Sequence, residues 1–463
     1  MLFNTSSLAT TSVVTSALGF VYWWLVAQRF PPSAVGFASA AISAMTLIGT
    51  FCILGMGTLL IGELPRQRGK EHLAIPPAND ADASPTMNRG ATAQAGGKEL
   101  SLISAALILV GGVAGLVGML FAAIAPLIAP NFGPLRSDPL NFALFAVGVS
   151  LTAISLVFDQ ALVGLLRSDL QLWRNALFAV IKLVALFMGA TIFFHPLGMA
   201  VYATWAFGNV LSLGLLIGLV ACSRKWSGHF FQPEWSLMRQ LRATAMQHHM
   251  LNLVLQAPTL ILPVLVATLL SNTANAWFYV SWMIASIGSL IPYALTTILY
   301  ATNAAQSDTL AHKVRMTLFL AVILCAFVSA ILLLGSQQVL GLFGHSYAEQ
   351  SLWSMRILAL GVFPRIIKDH YVAINRIHRR ISHAIVPMLI GGLLELSMAV
   401  LGAHFDGLLG LSLGYVLALC AEAIYGAHTV YHAVRFVPKE AQAGQGQTGR
   451  EQALPLQPVP PSE

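Results

Sequence analysis

Charged side chains are scarce in this sequence. Asp, Glu, Lys and Arg together make up 9% of its 463 residues, whereas hydrophobic residues make up 57%. A soluble protein carries about 25% charged residues, so this composition predicts a protein that crosses the membrane several times. The net charge of +7 would suggest nucleic-acid binding in a soluble protein. Here most basic residues lie between apolar runs, so we interpret them as determinants of membrane topology and expect no nucleic-acid partner.

Cysteine is also rare, and the usual signatures of enzyme chemistry are missing from the sequence. The four cysteines all lie in or at the ends of apolar runs: Cys52, Cys222, Cys325 and Cys420. No CxxC or CxxH pattern occurs, so we predict neither a disulfide nor a metal site. Nothing resembles a P-loop, a dinucleotide-binding fingerprint or a nucleophile motif. The sequence therefore predicts no cofactor and no enzymatic activity, and it does not favour ATP-driven transport by this chain alone.

Long apolar runs dominate the chain. A membrane-spanning helix needs about 20 apolar residues, and the sequence predicts about twelve such spans. The predicted spans are 5–27, 36–61, 100–129, 141–166, 173–194, 197–222, 249–269, 273–300, 315–335, 353–373, 384–402 and 407–434. The first is interpreted as a retained span, since no basic segment precedes it. The fold class expected is an all-α polytopic membrane protein with two pseudo-symmetric six-helix lobes around a central cavity.

The segments between the spans define the predicted domains. Residues 1–222 form an N-terminal lobe with a flexible cytoplasmic loop at 63–98, and residues 248–437 form a C-terminal lobe. Between the lobes, 223–247 is predicted to be an amphipathic cytoplasmic linker, and 438–463 a disordered cytoplasmic tail. With both termini in the cytoplasm, nineteen of the 25 Lys and Arg residues fall in cytoplasmic segments, which is the bias that the positive-inside rule expects.

Charged residues inside the spans are the leading functional candidates, because a charge in hydrocarbon is costly unless it is paired or faces a wet interior. The basic candidates are Lys182, Arg365 and Lys368. The acidic candidates are Asp159, Asp369, Glu395 and Glu422. They are either members of ion pairs that hold helices together, or groups that titrate and couple transport to an ion.

Two specific pairings follow from the ion-pair interpretation. One is Lys182 with Asp159. The other is Arg365 or Lys368 with Asp369 or Glu395, since Arg365 and Asp369 are four residues apart and can meet on one helix face.

Several short stretches, in this order and spacing, are those of a known family. They are Gly19–Trp23, Arg29–Pro32, Val35–Gly36, Leu54–Gly55, Asp159–Gly164, Arg174–Lys182, His248–His249, Gln256–Pro258, Pro263, Asn275–Tyr279, Trp282–Met283, Phe343–Ala348 and Arg356–Leu360. On these residues the chain resembles the polysaccharide (O-antigen) flippase branch of the superfamily that also contains the MATE drug antiporters and the lipid II flippases. The resemblance covers nearly the whole chain except 63–98 and the tail.

The resemblance implies an alternating-access flippase in the bacterial inner membrane. It implies a polyprenyl-diphosphate-linked oligosaccharide as substrate, moved to the outer leaflet for polysaccharide or lipopolysaccharide synthesis. The expected partners are this substrate, membrane lipids and, less directly, other polysaccharide-assembly proteins. The diphosphate needs cationic groups in a wet cavity, and the hypothesis assigns this role among Lys182, Arg365, Lys368 and Arg29. Gln256 and Trp282 are candidates for contact with sugar.

Two other functions compete with the flippase. One is an ion-coupled antiporter for drugs or other small molecules of the MATE type, in which the first span of a lobe commonly carries a carboxylate. Residues 5–27 and 249–269 contain neither Asp nor Glu, which disfavours this function. The other is a membrane-bound glycosyltransferase or polymerase, which would need a sizeable extramembrane loop with a catalytic acid or metal pair. The outside loops of this chain are too short for that, and 63–98 is interpreted as unstructured.

Overall fold

The computed structural model describes residues 2–61, 64, 85–188, 197–222, 235–303, 310–378 and 380–435. The α-helices named below are α1 (Leu2–Arg29), α2 (Pro32–Cys52), α3 (Pro85–Ile128), α4 (Pro139–Gly164), α5 (Ser168–Phe187), α6 (Leu197–Cys222), α7 (Trp235–Leu269), α8 (Asn272–Asn303), α9 (Leu310–Leu334), α10 (Ser336–Gly341), α11 (His345–Leu360), α12 (Val362–Ile377) and α13 (Ile381–Arg435). A 3-10 turn at Pro130–Leu135 joins α3 to α4.

The number of membrane crossings agrees with the expectation of about twelve spans. Within the described residues, nine helices are long and apolar enough to cross a membrane. One of them, α13, contains non-helical backbone at Asp406 and Gly407, so it is a hairpin that crosses twice. Helix α1 adds another crossing. Helices α11 and α12 meet at Gly361 and together form one more, which is the tenth crossing along the chain. The predicted all-α polytopic fold is confirmed.

Proline and glycine define the ends of these helices. Pro32 and Pro139 each occupy the first turn of a helix, where the missing amide hydrogen costs nothing. Before Pro139, the Asp138 carboxylate caps α4 by accepting a 2.8 Å hydrogen bond from the Leu140 amide. Gly407 has a φ of +51°, a left-handed conformation that lets the α13 hairpin reverse direction. These local signals set where each crossing begins and ends.

The helices differ from the predicted segment boundaries in three places. Helix α3 begins at Pro85, so 85–98 is helical and does not belong to the expected flexible loop. Helix α7 begins at Trp235 and its candidate membrane span at His249, so 235–247 is helical and continuous with the seventh span. Residues 65–84 and 223–234 and the predicted tail at 438–463 lie outside the described residues. The second span ends earlier than expected, at Cys52, because a turn with left-handed backbone at Leu54 and Gly55 follows it.

The two ends of the helix bundle differ in how the two halves of the chain contact each other. We name them the Arg29 end, where α1 finishes, and the Arg376 end, where α12 has Arg376 in its last turn. At the Arg29 end, Asn131 donates a 2.7 Å hydrogen bond to the carbonyl oxygen of Ala267. Nearby, Trp24 and Gln28 of α1 both donate to the carbonyl oxygen of Leu342, at 2.9 and 2.6 Å. Neutral hydrogen bonds thus join the two halves at this end.

Candidate functional site

A polar cavity lies between the two halves of the chain. Its volume is about 420 Å³. Helix α4 contributes Gln160 from the first half, and the remaining walls come from α7, α8, α12 and α13 of the second half. The polar and charged lining residues are Gln160, Asn252, Gln256, Thr259, Tyr293, Thr296, Thr297, Tyr300, Arg365, Lys368, Asp369, Arg376, Glu395 and Tyr415. The predicted cavity residue Gln256 is therefore in place.

One face of α12 supplies most of the charge in this cavity. The cavity is lined by residues 365, 368, 369, 372, 373 and 376 of this helix. Their spacing of three and four residues places them on one side of it. Arg365 lies near the middle of the crossing and Arg376 at its end, about 16 Å apart at 1.5 Å per residue. The tenth predicted span, 353–373, can contain Arg365, Lys368 and Asp369 because this polar face lines a cavity.

Lys368 is the centre of a buried ion cluster. Its ammonium contacts the Glu395 carboxylate and lies 2.7 Å from Oε2 of Glu422, and all three side chains are buried. The two glutamates come from the two arms of the α13 hairpin, so the cluster ties three helix segments together. Gly391 makes room for it, since a Cβ atom there would collide with the Glu422 carboxylate. The predicted pairing of Lys368 with Glu395 is confirmed, with Glu422 as an additional partner.

Arg365 also has a carboxylate partner. Its guanidinium lies 3.9 Å from the Asp369 carboxylate one helical turn away, as the four-residue spacing predicted. Arg365 also lines a second, small pocket of about 30 Å³ together with Trp282 and Tyr415. Trp282 packs edge-on against Tyr415, with ring centroids 5.0 Å apart. Trp282 therefore lies beside the main cavity and is not among the residues that line it.

Arg376 differs from the other cavity cations in its partners. Its guanidinium donates a 2.9 Å hydrogen bond to the amide oxygen of Asn252, which is neutral. Among the described residues, no carboxylate lies within ion-pair distance of Arg376. It is thus a cation at the end of the cavity whose charge is available to an incoming anion.

The buried acid of the first half has a different partner from the one predicted. Asp159 receives two hydrogen bonds from the Arg174 guanidinium, both 2.6 Å long, and a third from Asn175 at 3.0 Å. The expected pair of Asp159 with Lys182 is therefore wrong. A planar guanidinium matches a carboxylate with two parallel bonds, which a lysine cannot do.

Lys182 is surrounded by aromatic rings. Its ammonium lies 4.1 Å from the ring centre of Trp205, 4.7 Å from that of Tyr22 and 4.9 Å from that of Phe178. Cation–π attraction to ring faces stabilises such a charge. The lysine is buried within the first half and is not among the residues that line the cavity. Arg29 is likewise away from the cavity, with its guanidinium 4.2 Å above the Phe187 ring.

An apolar groove runs along the other side of α7. It has a volume of about 440 Å³ and lies between α2 and α3 of the first half and α7 and α13 of the second. Its lining includes Phe51, Val254, Ala257, Pro258 and Leu393. Gly392 packs against Pro258 with a close approach that a side chain would obstruct. One helix thus separates a polar cavity from an apolar groove.

Neither Arg174 nor Arg376 was predicted as a functional residue from the sequence. Arg174 was not recognised as the partner of Asp159, although it lies only fifteen residues further along the chain. Arg376 follows the tenth predicted span, 353–373, and was therefore predicted to lie in a loop. It lies on the same face of α12 as Arg365 and Lys368, eight residues after Lys368. Extending the three- and four-residue spacing of this face beyond residue 373 would have predicted that Arg376 lies on it.

A family model identifies the chain. The model for "Polysaccharide biosynthesis protein" matches residues 1–300, about two thirds of the sequence. The chain belongs to this family. No curated protein sequence matches it significantly. The predicted membership of the polysaccharide branch of the MATE-like superfamily is confirmed.

Solved structures of the same fold cover almost the whole chain. A multidrug-resistance MATE transporter of the MOP superfamily in its inward-facing conformation has a TM-score of 0.66 at 14% identity, over 92% of this chain and 96% of that one. The outward-facing conformation of a MATE transporter of the same superfamily gives 0.58 at 15% identity, over 93% and 96%. A MOP-superfamily transporter from Pyrococcus furiosus, with a binding pocket of reverse polarity, gives 0.59 at 13% identity, over 94% and 96%. At these identities the likeness shows the shared fold.

Proposed function

We propose that the protein is a flippase that moves a polyprenyl-diphosphate-linked oligosaccharide across the bacterial inner membrane by alternating access. Its membership of a polysaccharide biosynthesis family supports a substrate of this class. Such a substrate combines a sugar, a doubly charged diphosphate and a long apolar chain. A protein that moves it needs polar, cationic and apolar surfaces next to one another.

The proposal depends mainly on the position and the partners of Arg376. This residue is a cavity cation without a carboxylate partner among the described residues, and it lies at the end where the cavity residues Asn252 and Tyr300 also lie. The excess of basic residues in the segments of this end favours placing it in the cytoplasm. Arg376 is then in position to meet the diphosphate of a lipid in the cytoplasmic leaflet, and a guanidinium binds a phosphate group through strong, charge-assisted hydrogen bonds.

The remaining surfaces fit the rest of the lipid. Gln160, Gln256 and Tyr293 offer amide and phenol groups to sugar hydroxyls inside the cavity. The groove beside α7 is lined by apolar side chains and suits the polyprenyl chain, which loses nothing by leaving the lipid for it. The contacts at the Arg29 end would have to open before the sugar could leave on the far side.

Complementation in cells tests this function. A bacterial strain that makes undecaprenyl-linked oligosaccharide but has no flippase for it would be supplied with this chain, with Arg376→Gln or with Arg380→Gln. Arg380 is an exposed neighbour that does not line the cavity, so it is the matched control. We expect surface polysaccharide with the wild type and Arg380→Gln, and a loss of about tenfold or more with Arg376→Gln. Drug resistance conferred by the chain, without surface polysaccharide from any donor strain, would favour the MATE-type antiporter instead.

A further inference from the structure

The charge of the deep part of the cavity is opposite to what an anionic substrate needs. Arg365 and Lys368 face three carboxyl groups, those of Asp369, Glu395 and Glu422. With every group ionised, the cluster therefore has one negative charge in excess. A diphosphate that moved inward from Arg376 would meet a lysine already occupied by two carboxylates, and like charges at such distances repel strongly in a medium of low dielectric constant.

The geometry gives one route by which the cluster can accept an anion. Both Glu395 and Glu422 direct an oxygen at the same Lys368 ammonium, so a phosphate oxygen that approaches it either displaces one of them or takes the third N–H and adds its charge beside both. A displaced carboxylate would be left buried beside a second carboxylate and a phosphate. A buried carboxylate without a cation is much more stable in its protonated form.

The Glu422 carboxyl group is placed to take up that proton. It is buried, and its Oε1 receives no hydrogen bond from any of the described residues. The neighbouring charged or titratable groups are Lys368, Glu395, Arg365 and Asp369, together with Tyr415, which precedes Glu422 on the same arm of α13. Arg365 is the remaining cation of the cluster once Lys368 is taken, and it is already shared with Asp369, 3.9 Å away, so two cations cannot compensate three carboxylates and a diphosphate.

We propose that the Lys368–Glu395–Glu422 cluster is a shared site for an anionic headgroup and a proton, in which the diphosphate takes the Lys368 ammonium while the two glutamates together gain one proton. The proposal rests on the flippase function in so far as that function supplies the diphosphate. It makes the proton a co-ligand that binds with the substrate and not in competition with it. Since more protons are bound in the complex than in the free protein, affinity for the anion falls as pH rises.

Calorimetry on the full chain in lipid nanodiscs tests this linkage. The probe is the methyl ester of geranyl diphosphate, a diester that keeps both negative charges over the whole range used. Titration in buffers of different ionisation enthalpy counts the protons taken up. We expect about one proton per probe bound, and an affinity that rises by up to about tenfold per pH unit between about pH 8 and pH 6.

Isosteric variants assign the proton to the cluster. Glu422→Gln and Glu395→Gln each remove one negative charge and keep the shape of the side chain. We expect each to bind the probe at about pH 8 as tightly as the wild type does at about pH 6, with proton uptake largely lost. The wild-type proton count needs no variant, so it decides the question even if a variant fails to fold.

Two other results would overturn the proposal in distinguishable ways. Binding to the wild type that is independent of pH and takes up no proton would show that the cluster does not share its lysine, and the flippase function would stand. No binding at either pH, in the wild type or in either variant, would remove the shared site together with the proposed diphosphate substrate.

Discussion

The side chain of Asn275 on α8 donates a 2.7 Å hydrogen bond to the carbonyl oxygen of Gly36 on α2, and its amide group also lies 3.0 Å from the Ser39 hydroxyl. All three residues are buried at the Arg29 end, where α2 belongs to the first half of the chain and α8 to the second. Gly36 has no side chain, and a Cβ atom there would collide with the Asn272 carbonyl. This contact closes the Arg29 end of the bundle.

Asn275→Ala should favour opening at the Arg29 end. Two hydrogen bonds worth about 0.5–1.5 kcal/mol each are lost, so the open population should rise about tenfold. The readout is labelling of Ser43→Cys by a membrane-impermeant thiol reagent, in a chain whose four native cysteines are replaced by serine. Ser43 is buried one turn beyond Ser39 on the same face of α2. Asn209→Ala, a buried asparagine that bonds to Ser155 within the first half, is the matched control and should not change labelling. Equal labelling in both variants would contradict a closing role for Asn275.

Asp159→Asn should strongly destabilise the first half of the protein. It leaves the Arg174 guanidinium buried without a counter-charge, which costs about 3–5 kcal/mol. Thermal unfolding of the purified protein in detergent measures this loss. The control is Asp169→Asn, which breaks an exposed 3.3 Å pair with Arg167 worth about 0–1 kcal/mol. If the two variants unfold at the same temperature, the buried pair does not hold α4 to α5.

Lys182→Met should keep both stability and transport. Methionine retains the length and apolar stem of the side chain, and it removes a charge whose burial costs several kcal/mol against cation–π contacts of about 2 kcal/mol. Because Lys182 does not line the cavity, the sequence-based hypothesis that it binds diphosphate predicts the opposite, a folded protein without transport. Unfolding temperature and complementation of polysaccharide export separate the two outcomes.

A bulky side chain in the apolar groove should interfere with the polyprenyl chain. Ala257→Trp fills the groove beside α7, so transport of a long-chain substrate should fall severalfold, while binding of a short-chain probe in the polar cavity should be kept. The control is Leu324→Trp, at an exposed apolar position of α9 outside the groove. An equal effect of both variants on long and short substrates would show that the groove does not hold the chain.

Much of this fold could be predicted because hydrophobicity is a local signal. Apolar runs of the required length gave the crossings. Hydrophobicity did not give the starts of α3 and α7, because at Pro85 and Trp235 these helices begin in polar sequence ahead of the apolar runs. The site could be predicted only in part. The spacing of Arg365 and Asp369 reveals their proximity within one helix, but nothing local indicates that Lys368 meets Glu422, fifty-four residues away. Likewise, the choice of Arg174 over Lys182 as partner of Asp159 depends on how α4 and α5 pack.

Reconstituted flipping tests the proposed flippase function, and the role of Arg376 in it, most directly. Liposomes would contain the purified chain and a fluorescent undecaprenyl-diphosphate oligosaccharide in both leaflets, with a membrane-impermeant quencher added outside. We expect the wild type and Arg380→Gln to bring the inner-leaflet lipid to the quencher, and Arg376→Gln to slow this by about tenfold or more. Inner-leaflet lipid that stays protected with wild-type protein, or that is flipped equally fast by Arg376→Gln, would contradict the proposal.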